Sequence, residues 1–229
     1  MNFLEDFISL IFPRICLCCG NSLWKNEDII CHLCDYHLPR TNFHLDNDNP
    51  LCKTFWGRVV VENATAFLYF NKGGKVQHLI HQLKYKGRGD VGVYLGIRFG
   101  RQLSSVPLYQ SIQTIVPVPL HKIKRKQRGY NQSERFATGL AESMNLPVNS
   151  HALLRIKTTE TQTKKSRFNR YRNVREVFTI RDPASLQGKH LLLVDDVITT
   201  GATVESCVQA LSAVPDCKIS VACIAFTRA

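Results

Sequence analysis

Two adjacent carboxylates, Asp195 and Asp196, follow an apolar run that begins at Leu191. Four consecutive apolar residues indicate a strand buried on both faces, and open α/β sheets bind ligands at the carboxyl ends of such strands. Residues 199–203 (TTGAT) then predict a turn that opens a helix. Free backbone N–H groups and the helix dipole favour a phosphate at that turn. Because the acids would repel a phosphate, they suit sugar hydroxyls, bound directly or through Mg²⁺.

One ligand that satisfies both halves of this segment is a ribose 5-phosphate with adjacent free hydroxyls. Residues 191–203 resemble the motif of type I phosphoribosyltransferases, whose ligand is 5-phosphoribosyl 1-diphosphate (PRPP). The resemblance implies that Asp195 and Asp196 are the catalytic pair and that the residues binding PRPP are Asp195, Asp196, Val197, Thr199, Thr200, Gly201, Ala202 and Thr203. The alternative is a capped strand, turn and helix with a threonine as N-cap. A cap does not require two consecutive acids at a buried strand end, which favours the ligand.

Two reactions of that fold are not expected here. Purine-salvage members carry, at the position of Thr199, an aspartate that handles a proton on the base. A threonine cannot act as a general base at neutral pH. Glutamine-dependent amide transfer uses a cysteine nucleophile at the mature N-terminus, whereas the first cysteine of this chain is Cys16.

Nine cysteines, an odd number, argue against a disulfide framework in a chain without an export signal. Cys16, Cys19, Cys31 and Cys34 have the spacing C-x₂-C-x₁₁-C-x₂-C, in which each pair can hold one edge of a tetrahedral ion. We expect a structural Zn²⁺ with no open coordination position, whose role is in folding. The alternative is a set of unligated thiols, which a segment of low apolar content would bury poorly. Other candidate ligands, more typical of surface or packing positions, are Cys18, His32, His37 and Cys52.

The net charge of +12 is concentrated in residues 121–135 and 155–176, which together hold fourteen basic and three acidic side chains. A charge run is usually a solvated face, but when two such runs lie beside a phosphate site, an anion-binding role is about as well supported as a solvated face. The anion is either diphosphate or a nucleic-acid backbone, and Tyr130, Phe168 and Tyr171 could stack on unpaired bases or pack inward. The candidate diphosphate-binding or DNA-binding residues are Lys84, Arg125, Arg128, Asn131, Gln132, Arg155, Gln162, Arg167 and Arg170.

The whole chain resembles the ComF family of late-competence proteins. The motifs that carry the resemblance are the two cysteine pairs, the phosphate loop, and residues 83–87 (LKYKG), 116–119 (VPVP), 128–132 (RGYNQ), 161–163 (TQT), Arg167 and 173–174 (NV). It implies a zinc module on a type I phosphoribosyltransferase domain, and a role in handling incoming single-stranded DNA with a helicase-like partner. It also implies that the loop after the strand at residue 114 faces the diphosphate, and that residues 155–175 close over it. Cys18 and Cys52 depart from the family pattern and leave the metal ligand set open.

The elements that position these residues alternate along the chain. Apolar residues at helical spacing predict helices at residues 3–11, 76–83, 91–103, 133–144 and 202–213. Apolar and β-branched runs predict a strand pair within residues 58–70, with a turn near Asn63, and strands at 114–119, 146–155, 174–180, 189–195 and 219–226. This alternation predicts a doubly wound α/β fold with a mainly parallel sheet and helices on both faces. With the resemblance, it is the type I phosphoribosyltransferase fold with a small hood and an N-terminal zinc module that has four cysteine ligands.

We divide the chain into an N-terminal helix and zinc-binding module, residues 1–54, and a phosphoribosyltransferase-like domain, residues 55–229. The longest apolar runs fall far short of the roughly 20 residues that a membrane-spanning helix needs. Glu5 and Asp6 stand where a secretory signal would carry basic residues. We therefore expect a cytoplasmic protein without membrane insertion.

Three functions are compatible with these features. The first is a ComF-type competence protein that binds PRPP and grips single-stranded DNA through its basic segments during natural transformation. The second is an active phosphoribosyltransferase that depends on Mg²⁺ and releases diphosphate from PRPP to an unidentified acceptor. The third is an adaptor whose zinc module and sheet dock a partner. We predict the first, which the family resemblance and the concentrated charge support. We keep the second as the alternative, because a protein that uses the fold only as a scaffold has no chemical need for both acids.

Overall fold

A computed structural model of the chain describes residues 12–156 and 177–227. Its helices are α1 (His32–Tyr36), α2 (Pro50–Phe55), α3 (Lys75–Tyr85), α4 (Gly89–Ser104), α5 (Lys122–Arg128), α6 (Gln132–Met144) and α7 (Ala202–Leu211). Its strands are β1 (Asn63–Tyr69), β2 (Thr114–Pro117), β3 (Leu153–Ile156), β4 (Val177–Ile180), β5 (His190–Ile198) and β6 (Lys218–Phe226). Three short 3-10 turns lie at Phe43–Leu45, Pro107–Tyr109 and Ala184–Leu186. The helix predicted at residues 3–11 lies outside the described residues, as do residues 157–176 of the second basic segment.

The main sheet has the strand order β1-β6-β5-β2, and every pairing in it is parallel. Strand β5 is buried on both faces, as its apolar run predicts. Leu192 and Val194 pack with helices α3, α4 and α6, whereas Leu191 and Leu193 pack with α2 and α7. The prediction of a doubly wound α/β fold is therefore confirmed. A second sheet, formed by β3 and β4, is a short antiparallel pair.

The strand pair predicted within residues 58–70 is wrong. The N–H groups of Arg58 and Val59 both donate to the carbonyl of Phe55, at 3.0 and 3.1 Å, so this stretch turns off the end of α2. A single strand, β1, follows and pairs in parallel with β6, with Asn63 opposite Ser220. The strand predicted at 146–155 is also shorter, since β3 begins at Leu153.

Helices α4 and α6 pack at backbone contact, which explains the glycines of α4. A Cβ atom on Gly96 would collide with the carbonyl of Phe136, and one on Gly139 would collide with the carbonyl of Val93. Glycines normally weaken a helix, but here they allow two helix backbones to touch. The contact fixes α6, whose first turn carries residues of the candidate site.

The cysteine-rich segment shares the core of the sheet domain. Cys16, Cys34 and Leu38 are buried in the same cluster as residues of α4 and the sheet. Asp35 of α1 makes ion pairs with Arg98 of α4 and, at 2.9 Å, with Arg40. The division of the chain at residue 54 stays a prediction, and it falls within helix α2. Among the described residues, none of the helices is long and apolar enough to cross a membrane.

Candidate functional site

The two acids of β5 each have a polar partner from a helix that follows another strand. Ser133, in the first turn of α6, donates its hydroxyl to Oδ1 of Asp195 at 2.9 Å. The backbone N–H of Asp196 donates to the same oxygen at 2.8 Å. Nζ of Lys84, near the end of α3, lies 2.9 Å from Oδ1 of Asp196. The structure thus brings Lys84 to the acid pair, and it adds Ser133, which the sequence analysis missed.

The Asp195 carboxyl has a pKa near neutral pH. Burial, and after it the charge of Asp196, raises the pKa of Asp195 to about 7. The hydrogen bonds from the Asp196 N–H and the Ser133 hydroxyl and the charge of Lys84 all oppose this rise. A cation or a set of hydroxyl donors arriving at the pair would favour the ionised form, because each stabilises the negative charge.

Residues 199–203 form the turn between β5 and α7. Thr199 and Thr200 are exposed, and Gly201 has a φ of 76°, in the left-handed region that favours glycine. Gly201 is the N-cap of α7 and has no side chain to accept from the N–H groups of the first turn. A pocket of about 70 Å³ is lined by Asp195, Val197 and residues 198–204. Since one water occupies about 30 Å³ in the liquid, the pocket suits a group of only a few heavy atoms.

Arg58, which follows α2, connects that helix to this turn and to α7. Its Nη1 atom donates to the carbonyl of Thr200 at 2.9 Å and to that of Thr54 at 3.0 Å. Its Nη2 atom forms an ion pair with Glu205 in the first turn of α7. The end of α2 also lies against Gly201, where an added Cβ atom would come within 3.0 Å of the Phe55 ring. No local sequence signal marks Arg58, because the carbonyl that it holds is 142 positions away.

The first basic segment lies partly on helix α5, which has no buried residue. Arg128, at its end, donates to Oε1 of Gln132 at 2.7 Å, and its guanidinium lies 5.3 Å from the ring centroid of Tyr85. Nη2 of Arg125 lies 3.5 Å from Oε2 of Glu134. Tyr85 is the last residue of α3 and follows Lys84, so the guanidinium of Arg128 lies at the end of the helix that also carries Lys84.

The remaining predicted anion-binding residues are placed differently. Asn131 is buried: its amide donates to the carbonyl of Val118 at 2.9 Å, and its Oδ1 accepts from the N–H of Ser133 at 3.2 Å. Gln132 is also buried. Arg155 lies on β3 with its guanidinium 5.9 Å from the centroid of the Phe178 ring. Gln162, Arg167 and Arg170 lie outside the described residues. An anion contact for these residues stays a prediction.

The four cysteines with paired spacing come together. The Sγ atoms of Cys16, Cys19, Cys31 and Cys34 all lie within 4.8 Å of one another, and those of Cys19 and Cys31 are 3.8 Å apart. A tetrahedral ion with Zn–S bonds of about 2.3 Å separates its sulfur ligands by about 3.8 Å, so the donor set fits Zn²⁺. Burial opposes ionisation of Cys16, but backbone N–H groups, led by that of Cys31, lower its pKa to about 6.

The other candidate ligands are described by the structure but are not members of this group. Nε2 of His32 lies 3.3 Å from Nδ2 of Asn26, and Nδ1 of His37 lies 2.7 Å from the carbonyl of Leu33. Cys52 is buried in α2, where its Sγ contacts Asn49. Cys18 is half-buried and is not a member of the four-cysteine group found in the described part of the chain.

Comparison with known proteins agrees with this geometry. The sequence matches the family described as "Phosphoribosyl transferase domain" over residues 102–229, more than half of the chain. It is 30% identical over 220 residues to "DNA utilization protein YhgH" of Escherichia coli (strain K12), covering 93% of this chain and 90% of that protein. It is 31% identical over 112 residues to "Competence protein F" of Haemophilus influenzae, covering 48% of each. It is 26% identical over 195 residues to "Competence protein ComFC" of Bacillus subtilis (strain 168), covering 83% and 74%. The chain therefore belongs to the ComF family and carries a phosphoribosyltransferase domain.

Proposed function

We propose that the chain binds PRPP, or a related ribose 5-phosphate, at the carboxyl end of β5 and handles single-stranded DNA beside that site. The observation that carries the proposal is the position of Asp195, which is one of the two acids and also lines the 70 Å³ pocket at the turn. A sugar whose hydroxyls reach the acids can therefore place its phosphate on the turn. The backbone N–H groups at the start of α7 and the hydroxyls of Thr199 and Thr200 favour that phosphate.

Each group at the cleft has a separate task in this proposal. Asp195 and Asp196 hold the ribose hydroxyls, and Ser133 keeps Asp195 oriented through its 2.9 Å hydrogen bond. Mg²⁺, when bound with PRPP, neutralises the diphosphate. Lys84, which pairs with Asp196, can bind a negatively charged group of the ligand once the acids bind the ribose hydroxyls. Four cysteines hold a structural Zn²⁺, whose thiolate ligands suit the reducing cytoplasm.

The DNA part of the proposal is supported by charge and by the relatives. Helix α5 presents Lys122, Lys124, Arg125 and Lys126 to solvent, and exposed cations of this kind neutralise a phosphate backbone. Relatives that match most of the chain, or about half of it, are named for DNA utilization and for competence. A helicase-like partner, implied by the family resemblance, belongs to the same proposal.

Fluorescence anisotropy of labelled single-stranded DNA tests this proposal across a salt series, with and without Mg²⁺ and PRPP. We expect binding that weakens steeply with salt, since each neutralised phosphate releases counterions. We also expect PRPP to weaken it, because the cleft and the DNA surface adjoin. A chain that binds no single-stranded DNA even at low salt would remove the physical basis of the DNA role.

The intact acid pair and turn also favour a second candidate, an active phosphoribosyltransferase. In that case Arg128 and the arginines of the second basic segment stabilise the diphosphate as it leaves and the sugar centre becomes cationic. Diphosphate release from PRPP is the measurement, with the Asp195→Asn, Asp196→Asn double variant as the comparison. Release that the double variant abolishes would establish the activity, whereas equal release from both proteins would assign it to a contaminant.

A further inference from the structure

Tyr85 is an exposed aromatic residue at the end of the helix that carries Lys84. Its side chain is at the end of α3 and the residue is 63% exposed, whereas Phe67, Phe99 and Phe136 are fully buried. The residue before it, Lys84, lies 2.9 Å from Asp196. The backbone there is fixed as well, since Leu83 is buried and its carbonyl accepts the hydroxyl of Tyr130. Tyr85 therefore follows, on a fixed backbone, the lysine that pairs with Asp196, and much of its surface is in water.

Arg128 brings a second planar group to this ring. Its guanidinium lies 5.3 Å from the Tyr85 ring centroid, within the range of a cation–π interaction. The guanidinium is held by the hydrogen bond to Oε1 of Gln132 at 2.7 Å, and Gln132 is buried. On the same helix as Tyr85, His81 has its ring centroid 5.2 Å from that of Tyr85. Two planar groups from separate helices thus adjoin at a partly solvated surface.

We propose that Tyr85 and Arg128 form a stacking site for an unpaired nucleobase, a proposal that rests on the function proposed above. Aromatic rings and guanidinium planes stack on the π-face that every base has, and such sites are sequence-tolerant. Arg128 is the last residue of α5, so the exposed lysines of that helix can meet backbone phosphates while a base lies on the ring. The base comes either from single-stranded DNA or from a free nucleobase that accompanies the ribose phosphate.

The test compares labelled oligothymidylate with an abasic oligomer of the same length, which has the same phosphates and no bases. For the full chain, we expect Tyr85→Leu to weaken oligothymidylate binding about tenfold. Abasic binding and the salt dependence of both should not change, because no charge is lost. Tyr85→Phe should bind like the wild type. Tyr36→Leu, at a tyrosine of α1 that is 83% exposed, should also leave binding unchanged.

A second variant guards against a folding defect at position 85. Arg128→Lys keeps the charge and removes the planar group, so it should also weaken oligothymidylate more than the abasic oligomer. A thermal unfolding curve accompanies each variant. If both variants weaken both oligomers equally, the residues act through charge or structure and the stacking site is wrong.

Free adenine, measured by equilibrium dialysis in the presence of ribose 5-phosphate, separates the two sources of the base. Adenine binding that is lost in Tyr85→Leu, with no effect on either oligomer, would assign the site to a free base. No effect on any probe would overturn the site while leaving the proposed function intact. If the wild type binds neither oligomer, the DNA role fails by itself, and the adenine measurement alone decides the stacking site.

Discussion

The Asp195 carboxyl gives the proposed site a pH dependence. Its pKa is raised to about 7 by burial and by the charge of Asp196, so it carries a proton for much of the time below neutral pH. A protonated carboxyl cannot hold a ribose hydroxyl or Mg²⁺ as a full acceptor. We expect PRPP with Mg²⁺ to bind about tenfold more weakly at about pH 6 than at about pH 8. At the lower pH about nine tenths of the Asp195 carboxyls are protonated, and at the higher pH about one tenth are.

Isothermal titration at the two pH values is the measurement, with Asp195→Asn as the comparison. Because asparagine does not titrate, the affinity of that variant should be low and should change less between the two pH values than that of the wild type, the remaining change coming from the ligand's phosphates. Asparagine can still accept the hydrogen bonds that Ser133 and the Asp196 N–H now donate, so the fold should survive. A wild-type affinity that rises toward acid pH would contradict the assigned role of the carboxylate.

At the residue scale, the sequence predicts what is contiguous. The acids and the threonine turn lie within residues 191–203, and the cysteine pairs repeat a fixed spacing, so residue type and spacing suffice to find both. Ser133 is 62 positions from Asp195, and its role as a hydrogen-bond donor follows only from the packing of α6. The sequence predicts both Lys84 and Asp196 as site residues, but their ion pair with each other likewise follows only from the fold.

Among the elements, α2 and the stretch after it hold the phosphate turn through Arg58, which is three residues past the helix end. We expect Arg58→Ala to weaken ribose 5-phosphate binding about tenfold, because the Thr200 carbonyl loses its charged donor and the turn loses its link to Glu205. Arg101→Ala removes the same charge from an exposed position at the last turn of α4 and should leave binding unchanged. If both variants lose affinity equally, the effect of Arg58 is one of net charge and not of position.

Gly201 tests how closely α2 must approach the same turn. Gly201 and Gly188 both have positive φ, 76° and 67°, so alanine costs about 1 kcal/mol of backbone strain at either position. A Cβ atom on Gly188 meets nothing within 4 Å, whereas one on Gly201 comes within 3.0 Å of Phe55 and 3.1 Å of Thr54. Urea unfolding should show the larger loss for Gly201→Ala, and only that variant should lose ribose 5-phosphate affinity. Equal losses would mean that the α2 contact does not shape the turn.

Elements are predicted well where one local pattern decides them and poorly where a distant strand does. The apolar runs of β2, β5 and β6 locate the sheet, since a strand buried on both faces has few alternatives. Residues 58–70 have the same β-branched character, yet β1 takes its partner from β6, more than 150 positions away in the chain. The glycines of α4 weaken the local helix pattern, and the reason for them, close packing against α6, is visible only in the structure.

For the whole molecule, the cysteine segment is joined to the phosphoribosyltransferase domain through α1. Asp35 follows Cys34 directly and pairs with Arg98, which is 63 positions away on α4. The guanidinium of Arg40, the other partner of Asp35, lies 4.9 Å from the ring centroid of Phe67 in β1. Sequence alone separates the segment as a loop-rich module, because its composition lacks periodicity. In the structure, ion pairs and a shared core connect the segment to the sheet.

This connection predicts that metal removal destabilises the whole chain and not the cysteine segment alone. Cys31→Ser should lose the proposed zinc, measured by elemental analysis, and lower the midpoint of a single thermal transition by several degrees. Chelator treatment of the wild type should have the same effect. Cys18→Ser is the matched control, since Cys18 is one residue from a ligand and outside the cluster. It should retain one zinc per chain. Two separate transitions after metal removal would mean that Asp35 and the shared core do not couple the segment to the sheet.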